Sequence, residues 1–63
     1  MKVGDLVRWK KTGKIAIYLG SYNDNDDGSV YRFHNDEYGI IEQWSGAHEY
    51  PIEQLVEVVS AGR

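Results

Sequence analysis

The chain has no cysteine, a single proline and only two histidines among its 63 residues. Without cysteine there is no disulfide to close a loop and no thiolate to hold a metal. His34 and His48 are too few to build a closed metal cage of their own. No run approaches the roughly 20 apolar residues that span a bilayer, and the N-terminal stretch has no apolar signal core. These absences set the expectation of a cytoplasmic, single-domain protein with no cofactor, ordered over about residues 3–59. What remains to hold it together is apolar burial, and a chain this short buries only about 60% of the surface its unfolded form exposes. Two Trp, five Tyr and one Phe therefore count heavily, because each ring brings roughly 150–250 Å² of buriable surface. Self-association is a further source of burial.

Basic residues are outnumbered seven to ten, giving a net charge of −3, yet they are clustered. Residues 1–22 carry Lys2, Arg8, Lys10, Lys11 and Lys14 against Asp5 alone. Residues 23–63 carry Arg32 and Arg63 against nine carboxylates. Such polarity can steer partners, though in a barrel the two halves of the chain interleave in space.

Period-2 alternation is the dominant pattern. Val3, Val7 and Trp9 share one side of a first ribbon, opposite Leu6, Arg8 and Lys10. Lys10–Gly13 is a polar loop. Ile15, Ile17 and Leu19 then share one face of a second ribbon, opposite Ala16, Tyr18 and Gly20. Residues 21–28 form a turn-rich insert ending in the hairpin signal Asp27-Gly28. In residues 29–34, Tyr31 and Phe33 lie opposite Val30, Arg32 and His34. Asn35-Asp36-Glu37 is a second turn, and residues 38–44 are a fourth strand whose inward side falls to Ile40 or Ile41. Pro51 restricts Tyr50 to extended backbone and opens one helical turn through Ile52, Glu53 and Gln54. Residues 55–59 close the chain as a β-branched strand. The expected core is Val3, Val7, Trp9, Ile15, Ile17, Leu19, Tyr31, Phe33, Leu55 and Val58, with one of Ile40 or Ile41.

Val3-Gly4-Asp5-Leu6-Val7, then Gly13-Lys14-Ile15-Ala16-Ile17, then Tyr31-Arg32-Phe33, then Pro51-Ile52-Glu53-Gln54-Leu55 together resemble the SH3-like barrels. Within that fold the chain looks closest to the KOW and Tudor type, and to short uncharacterised proteins encoded by bacteriophages. The resemblance spans roughly residues 3–59. It implies an all-β, five-stranded SH3-like barrel with one short helical turn before the last strand. It also implies a binding or assembly module, since members of the superfamily bind RNA, ribosomal partners, methylated or proline-rich peptides, or other phage proteins.

Two surfaces compete for that binding. The aromatics Tyr22, Tyr38, Trp44 and Tyr50 suit a protein partner, through a ring cage around a cation or a groove for an extended peptide. Asp36, Glu37, Glu42 and Glu49 nearby favour a cationic one. The same rings equally suit a small core that needs them. The basic cluster Arg8, Lys10, Lys11 and Lys14, beside Trp9 and Tyr18, suits nucleic acid, with cations for phosphate and rings for bases. An overall pI near 5.1 weighs against that. Protein contact or self-association is thus the expected mode, and RNA binding through the first loop is the alternative. Asn23 to Gly28 partly matches a calcium loop, but position one is an amide and position twelve is His34 rather than a bidentate Glu. It reads as a solvated hairpin tip. No nucleophile elbow or phosphate-cradling glycine loop is present, and His34 and His48 read as surface residues, so no enzyme is expected.

Overall fold

The structure, a computed structural model, describes residues 1–24, 28–46 and 48–60. Its strands are β1 (Leu6–Trp9), β2 (Ile15–Asp24), β3 (Gly28–Asn35), β4 (Gly39–Gly46) and β5 (Val56–Ser60), with a helical turn α1 (Ile52–Leu55) between the last two. Every pairing is antiparallel and the order is β4-β3-β2-β1-β5. The protein is therefore all-β, with five strands in one sheet and no hydrogen-bonded closure between β4 and β5 among the described residues.

The long strand β2 serves two partners. Ile15–Ile17 pair with β1, and Ile17–Asp24 pair with β3. A register shift between Tyr18 and Gly20 separates the two stretches, the local kink by which a strand bends from one sub-sheet into the next. A tight turn before β1 fixes the register. Gly4 adopts φ 97°, which costs a residue without Cβ little. Asp5 is buried, and its Oδ2 accepts the Lys2 backbone N–H at 2.8 Å. The Gly4 N–H donates to the Tyr18 carbonyl and the Tyr18 N–H to the Asp5 carbonyl, each at 2.9 Å.

That clamp decides which side of β2 is interior. Val7 lies opposite Ala16 and Tyr18 opposite Phe33, and directly opposed residues of an antiparallel pair share a face. The core is Val7, Ala16, Tyr18, Phe33, Ile52 and Val56, flanked by Trp9, Tyr31, Ile41 and Leu55. Phe33 is its hub. Trp9 meets it edge-on at 4.7 Å between ring centroids, and Tyr18 lies at 5.6 Å. The expected odd-numbered face of β2 is thus corrected: Ile15, Ile17 and Leu19 are exposed, Ile17 by 44%. Tyr18 brings inward a larger ring than any of the three aliphatic chains could supply, and Ala16 leaves space beneath it. Val3 belongs to the opening turn and Val58 to the edge strand, and both are also exposed. Of Ile40 and Ile41, Ile41 faces in, opposite Phe33.

Asn35 organises the β3–β4 turn from a buried position. Its Nδ2 donates to the Ile15 carbonyl at 2.8 Å, and its Oδ1 accepts the N–H of Glu37 at 2.7 Å and of Tyr38 at 2.9 Å. Gly39 completes the turn at φ 78°. β4 runs from Gly39 through Gly46 instead of over residues 38–44, and three further features differ from expectation. Residues 21–24 continue β2 instead of starting an insert, because Ser21, Tyr22 and Asn23 pair across to Tyr31, Val30 and Ser29. The helical turn runs through Leu55, leaving Val56 to begin the last strand. Tyr50 takes φ 53°, not the extended backbone that a following proline favours.

Phe33→Ala is expected to cost about 3–5 kcal/mol, comparable to the whole stability of so small a domain, so its thermal melt should lose cooperativity. Ile17→Thr should cost no more than about 1 kcal/mol. A melt in which Ile17→Thr is the more damaging change would restore the odd-numbered interior.

Candidate functional site

Alternation that sends Tyr18, Tyr31 and Phe33 inward sends their neighbours to the opposite, outer face. Three cross-strand rows form there. The first runs Leu6, Ile17, His34, Ile40 across β1 to β4. The second runs Gly20, Arg32, Glu42, with Arg32 Nε 3.3 Å from Glu42 Oε2. The third runs Tyr22, Val30, Trp44.

The third row is the aromatic end of the molecule. Val30 is buried between two ring-bearing neighbours on adjacent strands. The Trp44 indole lies across the paired glycines Gly28 and Gly46. A Cβ at Gly28 would fall 2.7 Å from its Nε1 and 2.8 Å from the Ser45 carbonyl oxygen. Only glycine fits beneath the ring. Tyr50 stands nearly perpendicular to Trp44, at 6.4 Å between centroids and 74° between planes. Tyr22 and Tyr50 remain 49% and 60% exposed. The turn that carries Tyr50 here is tied by the Gly46 N–H donating to the Glu49 carbonyl at 2.8 Å. For a tyrosine, φ 53° lies in the left-handed region, a conformation costing roughly 1–2 kcal/mol.

Of the four aromatics singled out from the sequence, Tyr22, Trp44 and Tyr50 are thus brought together, and Tyr38 is not. Tyr38 sits at the opposite end of the β3–β4 hairpin, where the Lys14 Nζ lies 5.3 Å from its ring centroid. Lys14 also donates to Glu37 Oε1 at 2.8 Å. That bond, then the attraction of the charges, holds the Lys14 amine above its usual range and the Glu37 carboxyl below its own.

The basic cluster is divided in the same way. Arg8 forks its Nε and guanidinium nitrogen onto Glu57, its cross-strand partner on β5. Lys14 is held by Glu37. Lys10 and Lys11, in the β1–β2 turn, form no ion pair among the described residues. Of the expected carboxylates, Glu37 and Glu42 are engaged by cations, and Glu49 is exposed one residue before Tyr50. The calcium-like stretch lies partly outside the described residues, at 25–27.

Two surface hollows lie among the described residues. One, of about 270 Å³, is lined by Leu6, Ile15 and Ile17 together with His34, Asp36 and Glu37. The other, of about 330 Å³, lies between Met1, Tyr18, Ser21, Tyr31, Ile52 and Glu53. Burial, then the neighbouring Tyr18 and the Glu53 charge, raises the Tyr31 hydroxyl above its usual range. Among the described residues no cluster of three or more metal-ligating side chains forms, and no helix is long and apolar enough to cross a membrane. The chain matches no protein-family model, no curated protein and no solved structure.

Val30, Gly28 and Gly46 were missed as parts of the aromatic end. Their even numbering, shared with Tyr22 and Trp44 on unbroken ladders, is the signal that would have found them.

Glu37 is expected to titrate below the ordinary glutamate range in a carboxyl-detected NMR titration, and Lys14→Met should move its midpoint back up. The sign follows from the shifts. The carboxylate's stabilising share is present above the unfolded glutamate value and disappears as pH falls through the lowered one. The lysine's share is present below its unfolded value and disappears as pH rises through the raised one. An unchanged midpoint in Lys14→Met would show that the pair does not persist in solution.

Proposed function

We propose that this chain is a non-catalytic, SH3-like binding or assembly module that engages a protein segment through Tyr22, Trp44 and Tyr50. The observation that carries the proposal is the aromatic end itself. Tyr50 keeps its ring in solvent edge-on to Trp44 and does so on left-handed backbone, while the exposed Tyr22 lies in the same cross-strand row on the far side of Val30. Strain of that kind persists where surrounding structure over-determines it, and it concentrates at binding sites. Trp and Tyr supply large, stiff contact area and dominate protein–protein hot spots. The SH3-like reading is supported by β5 returning to pair with β1, by β2 passing between two partners at its register shift, and by the helical turn between β4 and β5.

RNA binding through the first loop has weaker support. Arg8 and Lys14 already face Glu57 and Glu37, and the remaining pair of lysines offers few phosphate contacts.

Tyr50→Gly separates binding from folding, because glycine accepts φ 53° without strain while removing the ring. Peptides selected by display against the native chain should bind Tyr50→Gly at least about tenfold more weakly, with Tm shifted by only a few degrees. Lys10→Ala/Lys11→Ala should bind them as the native chain does. The proposal fails if peptide affinity ignores Tyr50, or if a single-stranded oligonucleotide binds at physiological salt and is lost in the lysine variant.

A further inference from the structure

β4 has β3 as its only substantial neighbour among the described elements. Its other edge is open, and the two edges of the sheet differ. The β5 edge is broken by a register shift where it leaves β1, at Leu6/Val7, a device that turns an edge away from further pairing. β4 runs eight residues against β3 with no shift. Its sequence, Gly-Ile-Ile-Glu-Gln-Trp-Ser-Gly, holds no lysine and no proline, and its one charge, Glu42, is neutralised by Arg32.

Backbone groups alternate along such a strand, pointing toward β3 at one residue and away at the next. The Gly46 N–H points away, since it donates to Glu49. By alternation so do the groups of Trp44, Glu42 and Ile40. The Trp44 carbonyl is covered by Gln43, whose Nε2 donates to it at 2.9 Å. Among the described residues, Ile40 and Glu42 are then the two positions whose outward N–H and C=O have no protein partner.

We infer that this edge pairs antiparallel with β4 of a second copy, about a two-fold axis through Ile41. A strand with two open positions symmetric about one residue is its own complement. In this register Ile40 of each copy faces Glu42 of the other, and both exchange N–H···O=C bonds, which satisfies the eight outward groups that Ile40 and Glu42 hold in the pair. Ile41, half-buried against Phe33, meets its own copy on the inner face. Shifting the axis to Glu42 would set two carboxylates opposite each other, which is destabilising. Shifting it to Gln43 would place Ile40 opposite Gly46, whose N–H is already taken. The contact uses neither Tyr22 nor Tyr50, although its register brings Trp44 of one copy opposite Tyr38 of the other.

Sedimentation velocity over a range of concentration tests the pairing. The native chain is expected to pass from monomer to dimer. Glu42→Pro should lose the dimer, because proline deletes the outward N–H at 42 while leaving the ladder to β3 untouched. Glu42→Gln should keep it, which separates loss of the bond from loss of the Arg32 ion pair. In the native chain, amide exchange at Ile40 and Glu42 should slow as concentration rises, a reading that does not depend on any variant folding. The inference is overturned if the native chain stays monomeric to millimolar concentration, if those two amides exchange at a rate independent of concentration, or if Glu42→Pro is folded and still dimeric.

Discussion

The backbone clamp between the opening turn and Tyr18 is the constraint on which the rest of the structure depends. Two hydrogen bonds, from Gly4 and to Asp5, set one residue of β2 against one point of the chain before β1. Because side chains alternate with a period of two, fixing one residue fixes the face of all its neighbours up to the register shift. Tyr18 goes inward and brings Phe33 and Tyr31 with it. Ile17 goes outward, and with it His34 and Ile40. The interior and both outer rows of apolar side chains are thus consequences of where a single strand is pinned.

The all-β class was legible in the sequence, and so were the strand count, the helical turn after Pro51 and the turn at Asn35. These rest on local signals: alternation, Gly-Asp and Asn-Asp turn chemistry, and proline. The inward face of β2 was not legible. Ile15, Ile17 and Leu19 outscore Ala16 and Tyr18 on hydrophobicity. The choice between the faces rests on which residues lie opposite Val7 and Phe33, a long-range register that no window of β2 contains. Val58 shares its strand with Val56, yet only Val56, opposite Trp9 and next to α1, is buried. At the candidate site, residue types were legible and proximity was not. Tyr38 resembles Tyr22 in every local respect, yet one hairpin carries them to opposite ends.

The charge distribution changes meaning in three dimensions. Along the chain, cations crowd the first third and carboxylates the remainder. In the folded sheet the two populations meet, at Arg8 with Glu57, Lys14 with Glu37 and Arg32 with Glu42. What looks like a basic patch in one dimension is largely a set of cross-strand and cross-turn pairs. Exposed pairs of this kind contribute little stability, but they remove free charge from the surface and leave the aromatic end as its most distinctive chemistry.

The indole resting on Gly28 and Gly46 makes residues 28, 44 and 46 one unit of variation. A side chain at either glycine evicts the ring, and a smaller residue at 44 would uncover bare backbone that a methyl group at 46 could then shield, though one at 28 would still meet the Ser45 carbonyl oxygen. Drift at 44 and 46 is therefore conditional, each tolerating change only in company with the other, while residue 28, eighteen positions before 46, is held to glycine by backbone as well.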